Sequence, residues 1–343
     1  SFGPPATPER SDGGRGGYFK EKAITLAREF ITKELGLEIA YVTVFEGKDN
    51  IGVPKDKESI AIWQSLGIPD EKIKEQGMED VFWGPTGSSG PCGPTTEIYC
   101  KSVTGQDIEV WNIVFNQYFY PGSREELDKG VAGKKLEPLK KPGVDTGMGL
   151  ERLAMIAQKK NSIFETDLFD FLMVGFPEKL PVRTRRIIAD HARAVVFLVC
   201  DGLRPANKGA EYILRRLLRR IIGFAYEENM GLPPENLFKM VVEKYRTFSD
   251  YKNLNFALVE KVYRGEYAKF IKTIAVGRKK FEEEANRIKA RGEKLMPPLF
   301  VFDSHQSTGT TIDVLEDFAK KEGVEINREA FEKDLERHRE ISR

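Results

Sequence analysis

The first half of the chain mixes helical spacing with short strand-like runs. Apolar residues recur every three to four positions over 18–35, which predicts an amphipathic helix that ends at Gly36. The β-branched and aromatic run IAYVTVF at 39–45 predicts a strand. The same criteria predict short helices at 58–66 and 70–76, strands at 97–100 and 108–118, a polar hairpin or surface loop at 124–140, and a helix at 150–159.

Beyond about residue 180 the pattern is helical throughout. Helices are predicted at 185–201, 209–226, 236–247 and 253–294, then a break at Pro297 and Pro298, a short apolar piece at 299–302, and a closing pair at 311–321 and 328–340. This order indicates an α+β fold, in which an antiparallel sheet flanked by helices is followed by an all-helical domain. The predicted domains are 18–175 and 176–343, preceded at 1–17 by a flexible linker or tail with three prolines and five glycines.

Composition narrows the class of protein. Hydrophobic residues make up 40% and charged residues 31% of 343 residues, which is typical of a globular protein of about two domains. No apolar run approaches the roughly 18–20 residues of a membrane span, and the first residues lack a secretory signal pattern. Three cysteines favour a reducing, cytoplasmic location, and no His/Cys cluster has the spacing of a zinc site.

The net charge of +1 conceals a basic segment. Between 183 and 220 there are ten Lys or Arg and three Asp or Glu, and four of the cations are Arg215, Arg216, Arg219 and Arg220 on one broad helix face. A solvated charged helix normally mixes in acids, and this face does not. The excess therefore predicts contacts with a phosphate backbone.

The segment KPGVDTGMGLERL at 141–153 carries candidate chemistry. Gly147 and Gly149 have no Cβ, so a ligand can lie against the main chain. Asp145 offers a carboxylate to an amine, and Arg152 offers a planar cation to a phosphate. One short segment could therefore hold an amino group and a polyphosphate together.

Two further segments suggest a pocket. Along 110–118, Asn112, Val114 and Asn116 point to one face, so that two amides flank a valine as a small polar floor; a half-buried structural strand is the alternative. The stretch 82–98 is dense in Gly and Pro, which predicts irregular backbone lining a site. Within it Cys92 has no histidine nearby in sequence and is interpreted as a packing residue.

These segments resemble a known family. VDTGMGLERL is similar to the third signature motif of class II aminoacyl-tRNA synthetases, in the form typical of the alanyl-tRNA synthetase family, and GPCGP at 90–94 and WNIVFNQY at 111–118 resemble two more of its signatures. The resemblance implies a class II synthetase-like sheet domain that uses alanine, ATP and Mg²⁺. It implies Asp145 and Arg152 as catalytic residues, an alanine and adenylate site of Trp83, Asn112, Val114, Asp145 and Gly147, and an ATP site of Gly147, Gly149 and Arg152.

The basic segment extends the resemblance. Residues 185–193 and 204–220 are similar to helices with which this family recognises the acceptor stem of tRNA(Ala). The family reads a G·U pair with an Asn and an Asp at the positions of Asn207 and Asp303, although Gln306 stands here where the family has Gly. The predicted tRNA-binding residues are Asn207, Asp303, Arg204, Arg215, Arg216, Arg219 and Arg220.

The resemblance is incomplete. Ser1-Phe-Gly3 matches the end of the family's second motif, residues 4–17 stand where a single Asp would be, and the first motif, the second-motif arginine and the editing-domain signatures are missing. Two hypotheses remain. The chain is an alanine–tRNA ligase, or its catalytic core fragment, whose missing motifs come from a second chain or were lost from this sequence. Alternatively, it is a noncatalytic tRNA-binding paralogue or half-enzyme. An adenylating enzyme unrelated to tRNA is disfavoured by the basic segment.

Overall fold

The computed structural model describes residues 18–227 and 230–341, with side chains up to 338. The predicted linker at 1–17 lies outside these residues. Contacts divide the chain into two compact units. We call them the sheet unit, which ends at Leu168, and the helical unit, which begins at Phe169.

The sheet unit is built on six strands in the order β2-β1-β4-β5-β6, with β3 paired to β4. The strand β2 is parallel to β1, and every other pair is antiparallel. The α+β prediction is confirmed, with one parallel pair added to the expected antiparallel sheet. The strands are β1 (Ile39–Phe45), β2 (Ile73–Gln76), β3 (Phe82–Trp83), β4 (Gly90–Lys101), β5 (Asp107–Tyr120) and β6 (Glu137–Met148).

Helices cover one face of this sheet. The helix predicted at 18–35 is α1 (Lys20–Glu29) followed by a π-helical turn, and it ends at Gly36, whose φ of 63° suits a residue without Cβ. Its apolar stripe packs with Trp63 on Ile98, Ile113 and Phe115 of the strands. The other helices of the unit are α2 (Lys57–Ser65), α3 (Met78–Val81), α4 (Arg124–Lys129) and α5 (Leu150–Ala157).

Three predicted elements of the sheet unit are wrong. Residues 73–76 form β2 rather than a helix, because pairing of Ile73 with Val42 outweighs the weak local pattern. The segment 124–140 is not a loop: Ser123 and Glu126 form a capping box that begins α4, and β6 starts at Glu137. Residues 90–94 belong to β4 because Gly93 lets the main chain of β5 approach; a Cβ there would lie 1.9 Å from the Phe115 carbonyl oxygen.

The helical unit contains eight helices and no strand in the part of 169–341 that the structure describes. The predicted pattern holds, except that the apolar piece at 299–302 lies inside a full helix. The helices are α6 (Asp170–Met173), α7 (Val182–Cys200), α8 (Gly209–Glu227), α9 (Pro234–Tyr245), α10 (Phe256–Ala290), α11 (Pro298–Thr308), α12 (Ile312–Glu322) and α13 (Arg328–Ile341). None of the helices in the described ranges is long and apolar enough to span a bilayer.

Candidate functional site

The open face of the sheet carries most of the predicted site. Val114 lies opposite Asp145 on β6 and Thr95 on β4, and Asn112 lies opposite Gly147 and Glu97. Directly paired residues of neighbouring strands project to the same face. The structure therefore brings the predicted Asn112, Val114, Asp145 and Gly147 together. We call this face the polar strip, and it consists of Thr95, Glu97, Asn112, Val114, Asn116, Asp145 and Gly147.

The other face of β5 explains why the strip stays in place. Ile113 and Phe115 belong to the buried core beneath the helices, with Trp111 packed against it. The Thr146 hydroxyl donates to the Asn112 carbonyl oxygen and accepts from the Trp111 indole. A slip of one residue would put these apolar side chains on the open face, so burial fixes the register of the strip.

Glu97 is a central residue of the strip that the sequence did not single out. Its side chain accepts from the Thr43 hydroxyl at 3.1 Å, from the Tyr99 hydroxyl at 3.0 Å and from the Asn112 amide at 3.1 Å. Only 6% of the residue is exposed. Burial raises the pKa of Glu97, and hydrogen bonds from Tyr99 and Thr43 oppose that shift. A glutamate inside a strand of small and apolar residues was the available signal.

Three buried polar atoms of the strip have no hydrogen-bond partner. They are the amide oxygens of Asn112 and Asn116 and the hydroxyl of Thr95. Because Glu97 needs a donor, it fixes the Asn112 amide with its nitrogen toward the carboxylate and its oxygen unused. Buried polar atoms are nearly always satisfied, so three together indicate a surface that a polar ligand completes.

The carboxylate of Asp145 is also available. One of its oxygens accepts from the Thr146 amide at 2.9 Å, and no described cation lies within ion-pairing distance of it. Beside it, a Cβ added to Gly147 would meet no atom within 4 Å, so the space in front of this residue is open. An amine can therefore reach Asp145 over Gly147 and Val114.

Arg152 lies in the first turn of α5, the helix that follows β6. Its guanidinium donates to the Glu109 carboxylate at 2.9 Å and to the Glu109 carbonyl oxygen at 3.2 Å, with 53% of the side chain exposed. Such an exposed pair contributes about 0–1 kcal/mol, so a phosphate could displace Glu109. A Cβ on Gly149 would lie 3.3 Å from the Arg152 side chain, which indicates that Gly149 leaves room for this arginine.

The remaining predicted residue of this unit is Trp83. It lies on β3 opposite Gly93, and 37% of it is exposed. Nearby, Cys92 is fully buried, and burial raises its pKa to about 12 despite the charge of Arg124. A thiol held neutral in this way is a packing residue rather than a nucleophile.

The arginine face of α8 differs from its interpretation in the sequence. Carboxylates from distant helices neutralise it: Arg216 pairs with Asp313 at 2.6 Å, Arg219 with Glu266 at 2.6 Å, and Arg220 with Asp317 at 3.2 Å. The view that no acid balances this face is wrong, because the partners lie 47 to 97 residues away in sequence. Arg215 is also held, by the Asn207 side chain and the Pro205 carbonyl oxygen.

The other predicted RNA-binding residues lie near the start of α8 and on α11. Arg204 donates to the Val199 and Leu203 carbonyl oxygens at the end of α7. Asn207 is exposed and lines a cavity of about 420 Å³ with Arg215 of α8 and with His305 and Gln306 of α11. Asp303 is exposed one turn earlier on α11. The fold thus brings the Asn207 loop next to the segment that contains Asp303.

In the part of the chain that the structure describes, no group of three or more His, Cys, Asp or Glu side chains is placed so that it could hold a metal ion.

Known proteins resemble this chain over nearly its whole length. The sequence profile of the family described as tRNA synthetases class II (A) matches residues 13–343. Proteins named alanine–tRNA ligase from Rubrobacter xylanophilus and Borrelia hermsii are each 34% identical to this chain over 96% of its length. The chain spans 39% and 58% of those relatives, and 38% of a third, from Myxococcus xanthus. It belongs to the class II (A) family of tRNA synthetases.

Proposed function

We propose that this chain is the aminoacylation and tRNA-recognition part of an alanine–tRNA ligase. It activates alanine with ATP to alanyl-adenylate and then transfers the alanyl group to tRNA(Ala), in the cytoplasm. The observation that carries the proposal is the polar strip, where unused acceptors of Asn112 and Asp145 surround the side chain of Val114. The naming of the relatives agrees with it.

The strip suits a small amino acid. The ammonium group of alanine would donate to Asp145 and to the amide oxygen of Asn112, which Glu97 holds in the accepting orientation. The methyl group would lie over Val114, with Trp83 as the further wall that the family resemblance implies. The open space at Gly147 would leave room for the adenylate against the main chain.

Arg152 would bind the phosphate end of the substrate. In activation the alanine carboxylate attacks the α-phosphorus of ATP, and pyrophosphate leaves. Arg152, released from Glu109, would hold the γ-phosphate, with Gly147 and Gly149 beside the nucleotide. Catalysis would consist of positioning and charge stabilisation, with no covalent bond to the protein.

The carboxylates of the face suit Mg²⁺ bound with ATP. Mg²⁺ usually takes one or two protein carboxylates and completes its shell with phosphate oxygens and water. Glu97 and Glu109 lie close enough for the charge of Glu109 to add to the burial that raises the pKa of Glu97. A divalent cation would supply neutralising charge to the phosphates there.

The edge of the sheet offers a place for a further strand. In the described part of the chain β6 pairs only with β5, so its second edge is open to another strand. A second chain, or another segment, could add the second-motif arginine there. Acceptor-stem recognition would use Asn207, Asp303 and Arg204. The α8 arginines Arg215, Arg216, Arg219 and Arg220 would support it by holding the helices of the unit in place.

Alanine-dependent exchange of pyrophosphate into ATP tests the proposal. The parent chain should exchange, and Arg152→Ala should lose about 100-fold of that rate, the typical cost of one donor to developing charge. Arg287→Ala is the matched control, because the side chain of Arg287, like that of Arg152, is more than half exposed and pairs with a glutamate, Glu284 of its own helix. No exchange by the chain alone, with tRNA binding retained, would instead establish the half-enzyme or noncatalytic paralogue.

A further inference from the structure

The longest helix of the protein has two unlike faces. α10 runs for 35 residues from Phe256, after Asn255 caps its first turn. Its inner face buries Tyr263, Phe270 and Phe281 within the helical unit. The outer face is exposed and strongly basic. We call it the lysine face, and it consists of Lys261, Lys269, Lys272, Lys279 and Lys280.

The five lysines lie on one side of the helix. At 3.6 residues per turn their directions fall within an arc of about 100°. From the first lysine to the last the helix rises about 28 Å. Between them the exposed positions include Gly265, Ala268 and Ala275. Small side chains among long cationic ones leave a flat surface that a polyanion can approach closely.

Carboxylates are nearly absent along this face. Between 261 and 280 the only acid is Glu266, which is 3% exposed and bonded inward to Arg219. The exposed Glu283 lies on the same side, one turn after Lys279, at the end of the face. None of the five lysines forms an ion pair with a carboxylate of the described residues. Some exposed lysines elsewhere in the unit do: Lys333 pairs with Glu329 at 2.8 Å and Lys239 with Glu243 at 3.8 Å. A solvated helix gains from such pairs one turn apart. On α10 itself, Arg264 pairs with Glu260 and Arg287 with Glu284, so among its cations the five lysines of the face are set apart by having no such partner.

The apolar content of the outer face distinguishes between two possible partners, an anionic membrane surface and a hydrophilic polyanion. A helix that binds a membrane surface places a continuous apolar stripe beside its lysines. Here the large apolar side chains that are exposed are Tyr267 and Val276, more than two turns apart. The face therefore suits a hydrophilic polyanion better than a lipid surface.

We propose that the lysine face of α10 binds the phosphate backbone of RNA, independently of sequence. The arginine face of α8, predicted for this task, is neutralised by Asp313, Asp317 and Glu266, whereas the cations of α10 remain available. Each lysine that meets a phosphate releases a condensed counterion, so binding must weaken with salt. Lysine suits a contact that needs charge without a fixed fork geometry.

Fluorescence anisotropy with labelled tRNA and with an unrelated RNA hairpin tests this assignment. Replacing Lys269, Lys272 and Lys279 together by Gln should lower the affinity for both RNAs about tenfold at moderate salt. The slope of log affinity against log salt should become shallower by about 2 to 3, as expected for three lost phosphate contacts. The same three positions changed to Arg should bind like the parent. No ATP or alanine is present, so the result does not depend on adenylation.

The control carries the same change of charge on other helices, at Lys239, Lys320 and Lys333 together. It should leave affinity and slope near those of the parent. Equal effects of the two triple variants on RNA affinity, or no effect of the α10 variant, would overturn the assignment. It would also be overturned if the α10 variant lost binding to anionic vesicles while its RNA affinity stayed unchanged. Thermal unfolding by circular dichroism must show that the α10 variant retains its fold.

Discussion

The polar strip and the arginine face of α8 are both dense in hydrogen-bonding groups, yet they use them differently. In the strip, the acceptors of Asn112, Asn116 and Thr95 are buried without partners, and Asp145 lacks a cation. On α8, Arg216 and Arg219 have carboxylate partners from other helices. The strip has bonding capacity left for a ligand, whereas α8 has used it to hold the helical unit together.

This difference separates ligand surfaces from structural ones better than residue type does. The sequence of the α8 face shows four arginines with no acid among them, and the sequence of β5 shows an alternating strand. What distinguishes them is which groups the fold satisfies, and that depends on residues far away in sequence. Substitutions that remove one partner should therefore act on stability in α8 and on ligand binding in the strip.

The largest effect is expected from Arg219→Met. It leaves the Glu266 carboxylate, 2% exposed, without its closest cation, and loss of one member of a buried pair costs about 3 kcal/mol. Urea denaturation should show this loss, while Arg287→Met, at an exposed pair, should change stability by less than about 0.5 kcal/mol. A loss below about 1 kcal/mol for Arg219→Met would mean that α8 does not depend on this pair.

In the strip, Glu97→Gln should raise the KM for alanine about tenfold in the exchange assay, with kcat little changed. The substituted amide cannot accept from Thr43, Tyr99 and Asn112 together, so the Asn112 oxygen loses its fixed orientation. Tyr41→Phe, nearby on β1, serves as the control and should leave KM unchanged. A fall in kcat with constant KM would show that Glu97 acts on the reaction itself and not on alanine binding.

Substitutions of two adjacent threonines of β4 should change the stability of the protein in opposite directions, by smaller amounts. Thr95→Val replaces a buried hydroxyl without a partner and should stabilise the protein by about 1 kcal/mol. Thr96→Val removes a hydroxyl that accepts from Trp63 and donates to the Thr43 carbonyl oxygen, and it should destabilise by about 1–3 kcal/mol. Equal changes in the urea midpoint for the two variants would contradict the contrast between used and unused groups.

The smallest effect concerns the pH dependence of stability. Burial acts to raise the pKa of Asp313. Hydrogen bonds from Arg216 and Arg328 and the charges of Arg216 and Arg220 outweigh it, so the pKa lies below its usual value. Asp313 therefore stabilises the fold at neutral pH, and this contribution is lost as pH falls below about 4. In Asp313→Asn, the free energy of unfolding should fall less steeply with decreasing pH than in the parent.

Asp317→Asn is the matched control for that titration. Burial raises the pKa of Asp317 even beside Arg220, so its protonation on acidification favours the folded state. In Asp317→Asn, the free energy of unfolding should therefore fall on acidification at least as steeply as in the parent. A flatter profile for this variant than for Asp313→Asn would reverse the assignment of the two carboxylates.

Local pattern predicted much of this molecule and missed what depends on tertiary pairing. The alternation of β5 placed Asn112 and Val114 on one face, because burial of Ile113 and Phe115 enforces a period of two. The strand β2 was missed since its four residues have no strong pattern and depend on the edge of β1. Glu97 was missed because its importance comes from three donors on other positions of the sheet.

Calorimetric binding of a non-hydrolysable alanyl-sulfamoyl adenylate to this chain tests most directly whether the polar strip is the ligand surface. The parent should bind one equivalent. Asp145→Asn should weaken binding about 100-fold, as expected when a desolvated ammonium loses its carboxylate. Arg216→Gln, on the α8 face, should bind like the parent. Equal affinity of Asp145→Asn and the parent, or equal weakening in both variants, would contradict the account.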